Sequence, residues 1–539
     1  MKIRYENGTI YIGRGKFCQS FVTEDDKIIY AGDEAGAQAA APEAETVDLR
    51  GKFVCPGFND SHMHLLGYGS VLQMVRLMDS TDSLAAVLDK VRHEIEARGI
   101  LPGTWLKGRG WNHDYFQDEK RFPTRYDLDQ ISTEIPIFLV RACGHVGVAN
   151  SLALELAGIT KDTPQPEGGR FDVDENGEPN GIVREMGLNL IDDRIPSPSK
   201  EDLKRYLLDA CRSLNAYGVT SCQTDDFVSC PNTSYEEVLE AYGELEKEGK
   251  LTVKVYEQSQ LTSLEELKKF IAEGYHTGVG SDRMRIGPLK ILGDGSLGAR
   301  TAYMSQPYHD DPTTRGIPVY TQEWMDEMVG YAHTHGMNVA IHAIGDGIME
   351  QAIGSIEKAL KAQPKEDHRH GIVHCQITTP ELLEKFRELK LHAYIQSIFL
   401  DYDLHIVEDR VGRERAKYTY NFKTLTDYGI GVSNGSDSPV ELPDVMAGLQ
   451  CAVTRRSLNG DGPFLPDQAL TVAEGLDSYT IQGARASFEE EKKGTIEAGK
   501  AADFVVLGQN PFEADPMTLK DIPICATYLD GVCVYGGIE

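Results

Sequence analysis

The sequence lacks the features that mark membrane, secreted and nucleic-acid-binding proteins. No apolar run is long enough to cross a bilayer, and the first residues lack the charged, apolar, then small-residue order of a signal peptide. The ten cysteines form no CxxC pair and are too sparse for a disulfide scaffold. The formal net charge of -30, without any Lys/Arg cluster, repels phosphate backbones and anionic lipid. We therefore expect a soluble cytoplasmic protein with no nucleic-acid or membrane partner.

What the chain does contain is a repeated helix and strand pattern, in 539 residues that suit two or three domains. From about residue 200, Leu203, Leu207, Ala210 and Leu214 share one helical face, and Gly218 ends that helix before the next strand. The stretches 234–258 and 321–346 repeat the order of helix, glycine turn and Val/Ile-bearing strand. This alternation is typical of stacked βα units.

Counting such strands predicts an α/β fold with a (β/α)8 TIM-like barrel, formed by residues 55–70 and 200–486. The predicted strands are 53–64, 219–225, 251–257, 284–292, 338–343, 370–375, 391–396 and 430–437. Two regions do not fit this count. Both chain ends, 1–54 and 487–539, alternate like short strands and are expected to pair as a small β-sandwich domain. Residues 71–199 exceed any βα crossover and predict an insertion after strand one, over the barrel mouth.

A His-x-His pair follows the first predicted barrel strand. Because side chains on a strand alternate, His62 and His64 point the same way, towards the barrel mouth. Alone the pair is weak evidence for a metal, since two hydrogen-bonded histidines would look the same. Further ligands have to come from other strand ends.

Four later strand ends carry such candidates: Lys290, His342, His374 and Asp437. Each has an ordinary structural alternative, namely a solvated lysine, a buried histidine bonded to backbone, or an aspartate that caps a helix. Taken together, however, five of the six residues are types that bind zinc or iron, and all converge on one face of one barrel. The pattern predicts a centre for one or two divalent ions, with zinc as the default and iron, manganese or nickel equally compatible.

The number of ions depends on Lys290. A lysine whose neutral amine has reacted with CO2 is a carbamate, an anion able to bridge two metals. Without that anion, neutral imidazoles and Asp437 leave too little negative charge for two divalent ions, which favours one.

At this point the sequence resembles the amidohydrolase superfamily, whose pattern is His-x-His after strand one, Lys after four, His after five and six, and Asp after eight. The stretches "FVCPGFNDSHMH" and "GTIEAGKAADFVVL" resemble that family's first strand and its C-terminal return to the β-domain. More narrowly, "GRGWNHD", "RACGHVGVANSLALELAGI", "ILGDGSLGARTAYM", "AIHAIGD" and "SNGSDSPVE" are similar to the amidohydrolase-3 branch, which includes N-substituted formamide deformylases. The resemblance implies a metal-dependent hydrolase that cleaves a C-N bond of a small-molecule substrate.

Candidate roles follow for several residues. Asp437 is expected to take a proton from the attacking water and to deliver it to the leaving amine. His145 is a candidate donor to the developing oxyanion, or a structural loop histidine. The remaining candidates contact substrate or else stabilise the protein: Trp111 and Asn150 as pocket lining or insertion core, Arg300 and Tyr303 as carboxylate-orienting or loop-anchoring residues.

Other functions use the same scaffold. A deaminase, a cyclic amidase or an esterase also attacks an electrophile with activated water. A catalytically silent metal-binding regulatory protein is a different class, and the six filled ligand positions argue against it. The sequence leaves the substrate open, as well as assembly into a homo-oligomer.

Overall fold

The computed structural model describes residues 1–80, 82–166 and 168–538, which fall into two compact units. One unit joins Met1–Tyr68 to Lys200–Glu539, and the other is the continuous segment Gly69–Ser199. Across the described ranges, every helix is too short or too polar to cross a membrane.

The larger unit contains a parallel sheet of eight strands, each hydrogen-bonded to the next in chain order. Its strands are β1 (Phe58–Met63), β2 (Val219–Thr224), β3 (Lys254–Gln260), β4 (Met284–Leu292), β5 (Val339–Ala343), β6 (Gly371–His374), β7 (His392–Ile395) and β8 (Val432–Asn434). Just beyond the ends of β1 and β8, the Asp437 amide donates to His62 O and the His64 amide to Ser438 O, both at 2.8 Å. The predicted (β/α)8 barrel is thus confirmed.

Amphipathic helices cover the barrel, and the predicted apolar face of the first is buried at Leu203, Leu207, Ala210 and Leu214. The main helices are Lys200–Ala216, Tyr235–Lys247, Leu264–Ala272, Gln322–Thr334, Asp346–Ala362, Pro380–Leu389, Phe422–Asp427 and Val445–Thr454. Further helices of this unit are Leu65–Leu72, Leu400–Asp403, Val407–Val411, Arg413–Ala416, Val472–Ser478 and Ile481–Ala486. Ser and Thr N-caps start several of them, because their hydroxyls accept from amides that the helix leaves unpaired.

The first predicted strand, 53–64, is in fact two strands that belong to different sheets. Phe53–Pro56 pairs with Thr9–Gly13 and Phe504–Leu507, whereas Phe58–Met63 is β1. Gly57 separates them, and a Cβ at this position would lie 2.3 Å from Thr220 Oγ1. The lack of a side chain therefore lets the chain pass closely against β2 as it changes sheets.

The larger unit has two further sheets, one built from both chain ends and one from the N-terminal end alone. The six-stranded sheet runs Val532–Gly536, Ile524–Leu529, Phe504–Leu507, Phe53–Pro56, Thr9–Gly13, Lys16–Cys18, and the four-stranded sheet runs Lys27–Gly32, Ser20–Glu24, Lys2–Glu6, Glu45–Asp48. Helix Glu34–Ala40 packs beside the latter. Stacked rings hold this β-rich part together, with Tyr5 and Phe21 4.6 Å apart. Lys254 of β3 reaches it through a buried ion pair to Asp503 (2.7 Å) and a partly buried one to Asp530 (2.6 Å).

The segment Gly69–Ser199 has its own six-stranded sheet and its own core. The strands run Gly169–Val173, Pro179–Glu185, Val146–Ala149, Ile137–Arg141, Leu106–Trp111, Val75–Arg76. Its helices are Leu84–Arg98, Arg125–Asp129, Ser151–Ala157 and Asn189–Asp192. An independent core of this kind is what a separately folded unit requires.

Candidate metal centre

His62, His64 and Asp437 meet at the carboxyl end of the barrel. The Nε2 atoms of the two histidines lie 3.2 and 3.3 Å from Asp437 Oδ1. His62 and Asp437 are buried, and the His64 side chain keeps 29% of its exposure. Asp437 has a φ of +57°, a left-handed conformation uncommon outside glycine. The possible ligand atoms of these three residues all lie within 4.8 Å of one another, so they can hold a metal ion together.

His342 and His374 form a second pair beside the first. His374 Nε2 lies 2.8 Å from His342 Nδ1, and the His374 ring centroid lies 5.6 Å from that of His62. The second pair is therefore a neighbour of the first, although among the described residues only His62, His64 and Asp437 have possible ligand atoms that all lie within 4.8 Å of one another. The structure therefore brings all four predicted histidines and Asp437 to one place.

Two buried glutamines orient histidines of the centre. His62 Nδ1 donates to Gln258 Oε1 at 2.7 Å, and His374 Nδ1 donates to Gln396 Oε1 at 2.8 Å. With Nδ1 protonated, the Nε2 atom of each ring carries a lone pair that faces the centre. Second-sphere partners that fix the tautomer in this way are a general feature of histidine metal sites.

His342 is oriented in the opposite sense. Its Nε2 lies 3.1 Å from Gly295 O and 3.2 Å from Asp294 Oδ1, which leaves Nδ1 towards His374. Asp294 is itself fixed, because its carboxylate accepts from the amides of Tyr303 and Gly345. His342 is thus expected to bind a metal through Nδ1, unlike the other three histidines.

Lys290 on β4 is buried and lies against Asp225, which follows β2. Lys290 Nζ is 3.2 Å from Asp225 Oδ2, while the backbone carbonyl of Asp225 accepts from His64 Nδ1 at 3.0 Å. Asp225 therefore contacts both Lys290 and His64, so the predicted lysine lies next to the centre.

Burial and neighbouring charges set the protonation states of these groups. Burial, aided by the Lys290 charge, lowers the pKa of His62 to about 4, and burial also lowers the pKa of His374 well below its usual value. Burial alone would raise the pKa of Asp437, but the contacts with His62 and His64 outweigh it and hold that pKa well below its usual value. Burial opposes protonation of His64 too, yet the contact with Asp437 prevails and raises its pKa to about 9. Two neutral imidazoles and an ionised carboxylate are the states that metal ligands need.

A divalent ion fits this donor set. Asp437 Oδ1 and Asp225 Oδ1 are buried carboxylate oxygens that accept no well-directed hydrogen bond, although two ring nitrogens lie near the former. Such an oxygen is costly to bury unless it is paired or coordinates a metal. Imidazole and carboxylate ligands suit zinc, iron and manganese alike, so the residues fit a metal without selecting one.

The structure gives Trp111 and Asn150 structural positions, which corrects their prediction as substrate-binding residues. Trp111 is fully buried in the core of the 69–199 unit, and its Nε1 donates to Leu139 O at 3.0 Å. Asn150 is also fully buried and caps helix Ser151–Ala157 through the Ala153 amide. Neither side chain is free to contact a ligand. His145 is exposed and lies 2.9 Å from Glu185 Oε2, and its catalytic role stays a prediction.

Arg300 and Tyr303 anchor the loop after β4, the second of the two roles considered for them. Arg300 pairs with Asp310 through Nε (3.1 Å) and Nη2 (2.7 Å). Tyr303 is held by its backbone, and its ring lies under the Arg315 guanidinium at 5.0 Å. The Arg300 guanidinium thus already has a carboxylate partner within the loop, which it shares with Arg410. A substrate-orienting role for Arg300 and Tyr303 stays a prediction.

Four residues that contact the histidines of the centre were not predicted from the sequence: Asp225, Gln258, Asp294 and Gln396. Asp225 and Gln396 directly follow strands β2 and β7, so the rule that revealed the histidines could also have revealed them. Glutamine carries no metal-binding signature, however, so nothing in its residue type indicates a role at a metal site.

A parallel barrel whose strand ends bring together four histidines and an ionised aspartate defines a metal-dependent hydrolase. The chain belongs to the amidohydrolase family, whose model matches residues 45–535. This confirms the resemblance seen in the sequence.

Individual relatives span the whole chain. The Bacillus subtilis (strain 168) protein YtcJ is 33% identical over 547 residues, covering 99% of each chain. The N-substituted formamide deformylase of Arthrobacter pascens is 29% identical over 540 residues, covering 97% of this chain and 96% of its own. The crystal structure of an uncharacterized metal-dependent hydrolase from Pyrococcus furiosus has a TM-score of 0.79 and 32% identity, over 95% of this chain and 100% of that one.

Proposed function

We propose that this protein hydrolyses an amide-type C-N bond, N-acyl or N-formyl, in a small-molecule substrate. The observation that carries the proposal is the meeting of four histidines with ionised Asp437 at the barrel mouth. The similarity to an N-substituted formamide deformylase supports the choice of bond.

The residues that would hold the metal are His62, His64, His342, His374 and Asp437, with Lys290 as the sixth. Zinc is the default ion. Carbamylation of Lys290 would supply the additional anion that a second ion needs. When bound, a divalent ion makes hydroxide available near neutral pH and polarises the substrate carbonyl.

Asp437 is the proton carrier in this proposal. It is ionised and almost fully buried, and its Oδ1 faces the nitrogens of His62 and His64. It accepts the proton of the attacking water and passes it to the amine nitrogen, which departs poorly as an anion. One carboxylate serves both steps because the first leaves it protonated for the second. His145 is proposed as the donor to the carbonyl oxygen as negative charge develops there.

The experiment is hydrolysis of a panel of N-formyl and N-acyl amines by protein of measured metal content. We expect release of the acid and the amine, and an Asp437→Asn variant that turns over at least about 100-fold more slowly. Arg300→Gln is the matched control, since its loop anchor lies outside the proposed ligand set. Ammonia release without an acid product would indicate a deaminase. A fully metallated protein inactive on the whole panel would contradict the proposal.

A further inference from the structure

The segment Thr224–Asp226, which begins at the last residue of β2, accepts hydrogen bonds from the chain that follows β1. The Leu65 amide donates to Thr224 Oγ1 at 2.7 Å, and the Leu66 amide donates to Asp226 Oδ1 at 2.8 Å. Directly before these residues lies His64, whose Nδ1 donates to the Asp225 carbonyl at 3.0 Å. The backbone on the C-terminal side of His64 and the His64 ring itself therefore depend on one short segment.

Asp226 is the best fixed residue of that segment. Its Oδ1 also accepts from Thr224 Oγ1 at 2.9 Å, its Oδ2 accepts from the Tyr242 hydroxyl, and its backbone amide donates to Glu257 Oε1 at 2.9 Å. Asp226, Tyr242 and Glu257 are all fully buried. Each Asp226 oxygen has a defined donor, so the side chain has one orientation.

Burial of this network is costly. Burial raises the pKa of Asp226 to about 6 and the pKa of Glu257 well above its usual value. Among the described residues, no lysine or arginine forms an ion pair with either carboxyl group. The His64 charge acts against this rise for Asp226 but does not cancel it. Two buried acids of raised pKa are costly to a fold, and such groups concentrate where function requires them.

We propose that Asp226 is a positioning residue for the metal ligand His64, acting through the Leu66 amide and the neighbouring Asp225 carbonyl. The inference rests on the metal centre of the proposed function and adds a residue outside the six ligands. Asp226 sets where the His64 imidazole stands before any ion arrives. Its removal therefore weakens metal binding even though it donates no ligand atom.

The test compares Asp226→Ala and Asp226→Asn with wild type, and Asp503→Ala serves as the matched control. Asp503 is a buried aspartate that accepts from Lys254 Nζ and the Asp530 amide, far along the chain from any proposed ligand. The zinc dissociation constant of each metal-free protein is measured by chelator competition, and the absorption spectrum of each Co²⁺-loaded protein reports coordination geometry. Circular dichroism establishes that each variant is folded.

We expect Asp226→Ala to bind zinc about 10- to 100-fold more weakly, with an altered Co²⁺ spectrum. Asp226→Asn keeps an oxygen that accepts from the Leu66 amide, so its zinc affinity should match that of wild type. Asp503→Ala should lose stability but keep wild-type zinc affinity and spectrum. Folded Asp226→Ala with wild-type affinity, or Asp226→Asn as weak as the alanine variant, overturns the inference.

Tyr242→Phe keeps the question testable if Asp226→Ala does not fold. It deletes only the hydroxyl that orients Asp226 Oδ2, and a loss of about threefold in zinc affinity is expected. An unchanged constant in this variant also overturns the inference. Failure of wild type itself to bind zinc or another divalent ion would instead refute the proposed function, so the two failures are distinguishable.

Discussion

Replacing Gln258 by leucine tests whether a buried glutamine prepares His62 for metal. Gln258 is fully buried on β3, accepts from His62 Nδ1 at 2.7 Å and donates to Ser61 O at 3.2 Å. Leucine has a similar volume but no acceptor, so His62 loses the bond that fixes its tautomer. A buried donor left without a partner costs about 1–3 kcal/mol.

The expected loss of zinc affinity is about 10- to 100-fold, which corresponds to about 1.4–2.8 kcal/mol. Chelator competition on metal-free protein measures it, and thermal unfolding measures stability separately. Gln223→Leu is the matched control, because Gln223 lies buried on the adjacent strand β2 and donates to Gly483 O, away from the histidines. Both variants should lose stability, but only Gln258→Leu should lose affinity. Equal affinity in Gln258→Leu and wild type would refute the reasoning.

Three further predictions concern stability. Trp111→Ala should destabilise the 69–199 unit by about 3–5 kcal/mol in urea unfolding, since the indole is fully buried, whereas a value near zero would place the ring at a surface. Asn150→Ala should cost at least about 2 kcal/mol, because its amide caps a helix and also bonds the Ile137 amide; an unchanged midpoint would contradict this. Burial lowers the pKa of His392 to about 3, so only the unfolded state is protonated between that pH and 6.5. Relative to His392→Gln, wild type should therefore lose about 1.4 kcal/mol of unfolding free energy per pH unit as pH falls below 6.5, and equal slopes would disprove it.

The barrel could be predicted from the sequence because each βα unit repeats the same local signals. The pattern of a buried strand followed by an amphipathic helix gives eight strands, a number that chance does not easily produce. The division of 53–64 into two strands could not be predicted in the same way. Both halves are fully buried, and only the tertiary contact between Gly57 and Thr220 explains why the chain changes sheets there.

Only those residues of the candidate site whose types are distinctive could be predicted from the sequence. Histidine and aspartate at strand ends carry a metal-binding signature, and the structure brings these residues together. Gln258 and Gln396 act through hydrogen bonds whose partners lie on other strands, so nothing local distinguishes them. Trp111 shows the converse, because an aromatic residue beside glycines has the same sequence pattern in a pocket and in a core.

The strand Phe53–Pro56, which leads into β1 and His62, lies between Thr9–Gly13 and Phe504–Leu507. The neighbouring strand Phe504–Leu507 is therefore synthesised only after almost the entire barrel has been translated. At about 5–20 residues per second, a ribosome needs roughly 20–90 seconds to cover that interval. During synthesis the edge of this strand waits unpaired, so for that time the nascent polypeptide is exposed to aggregation at the segment that precedes His62 and His64.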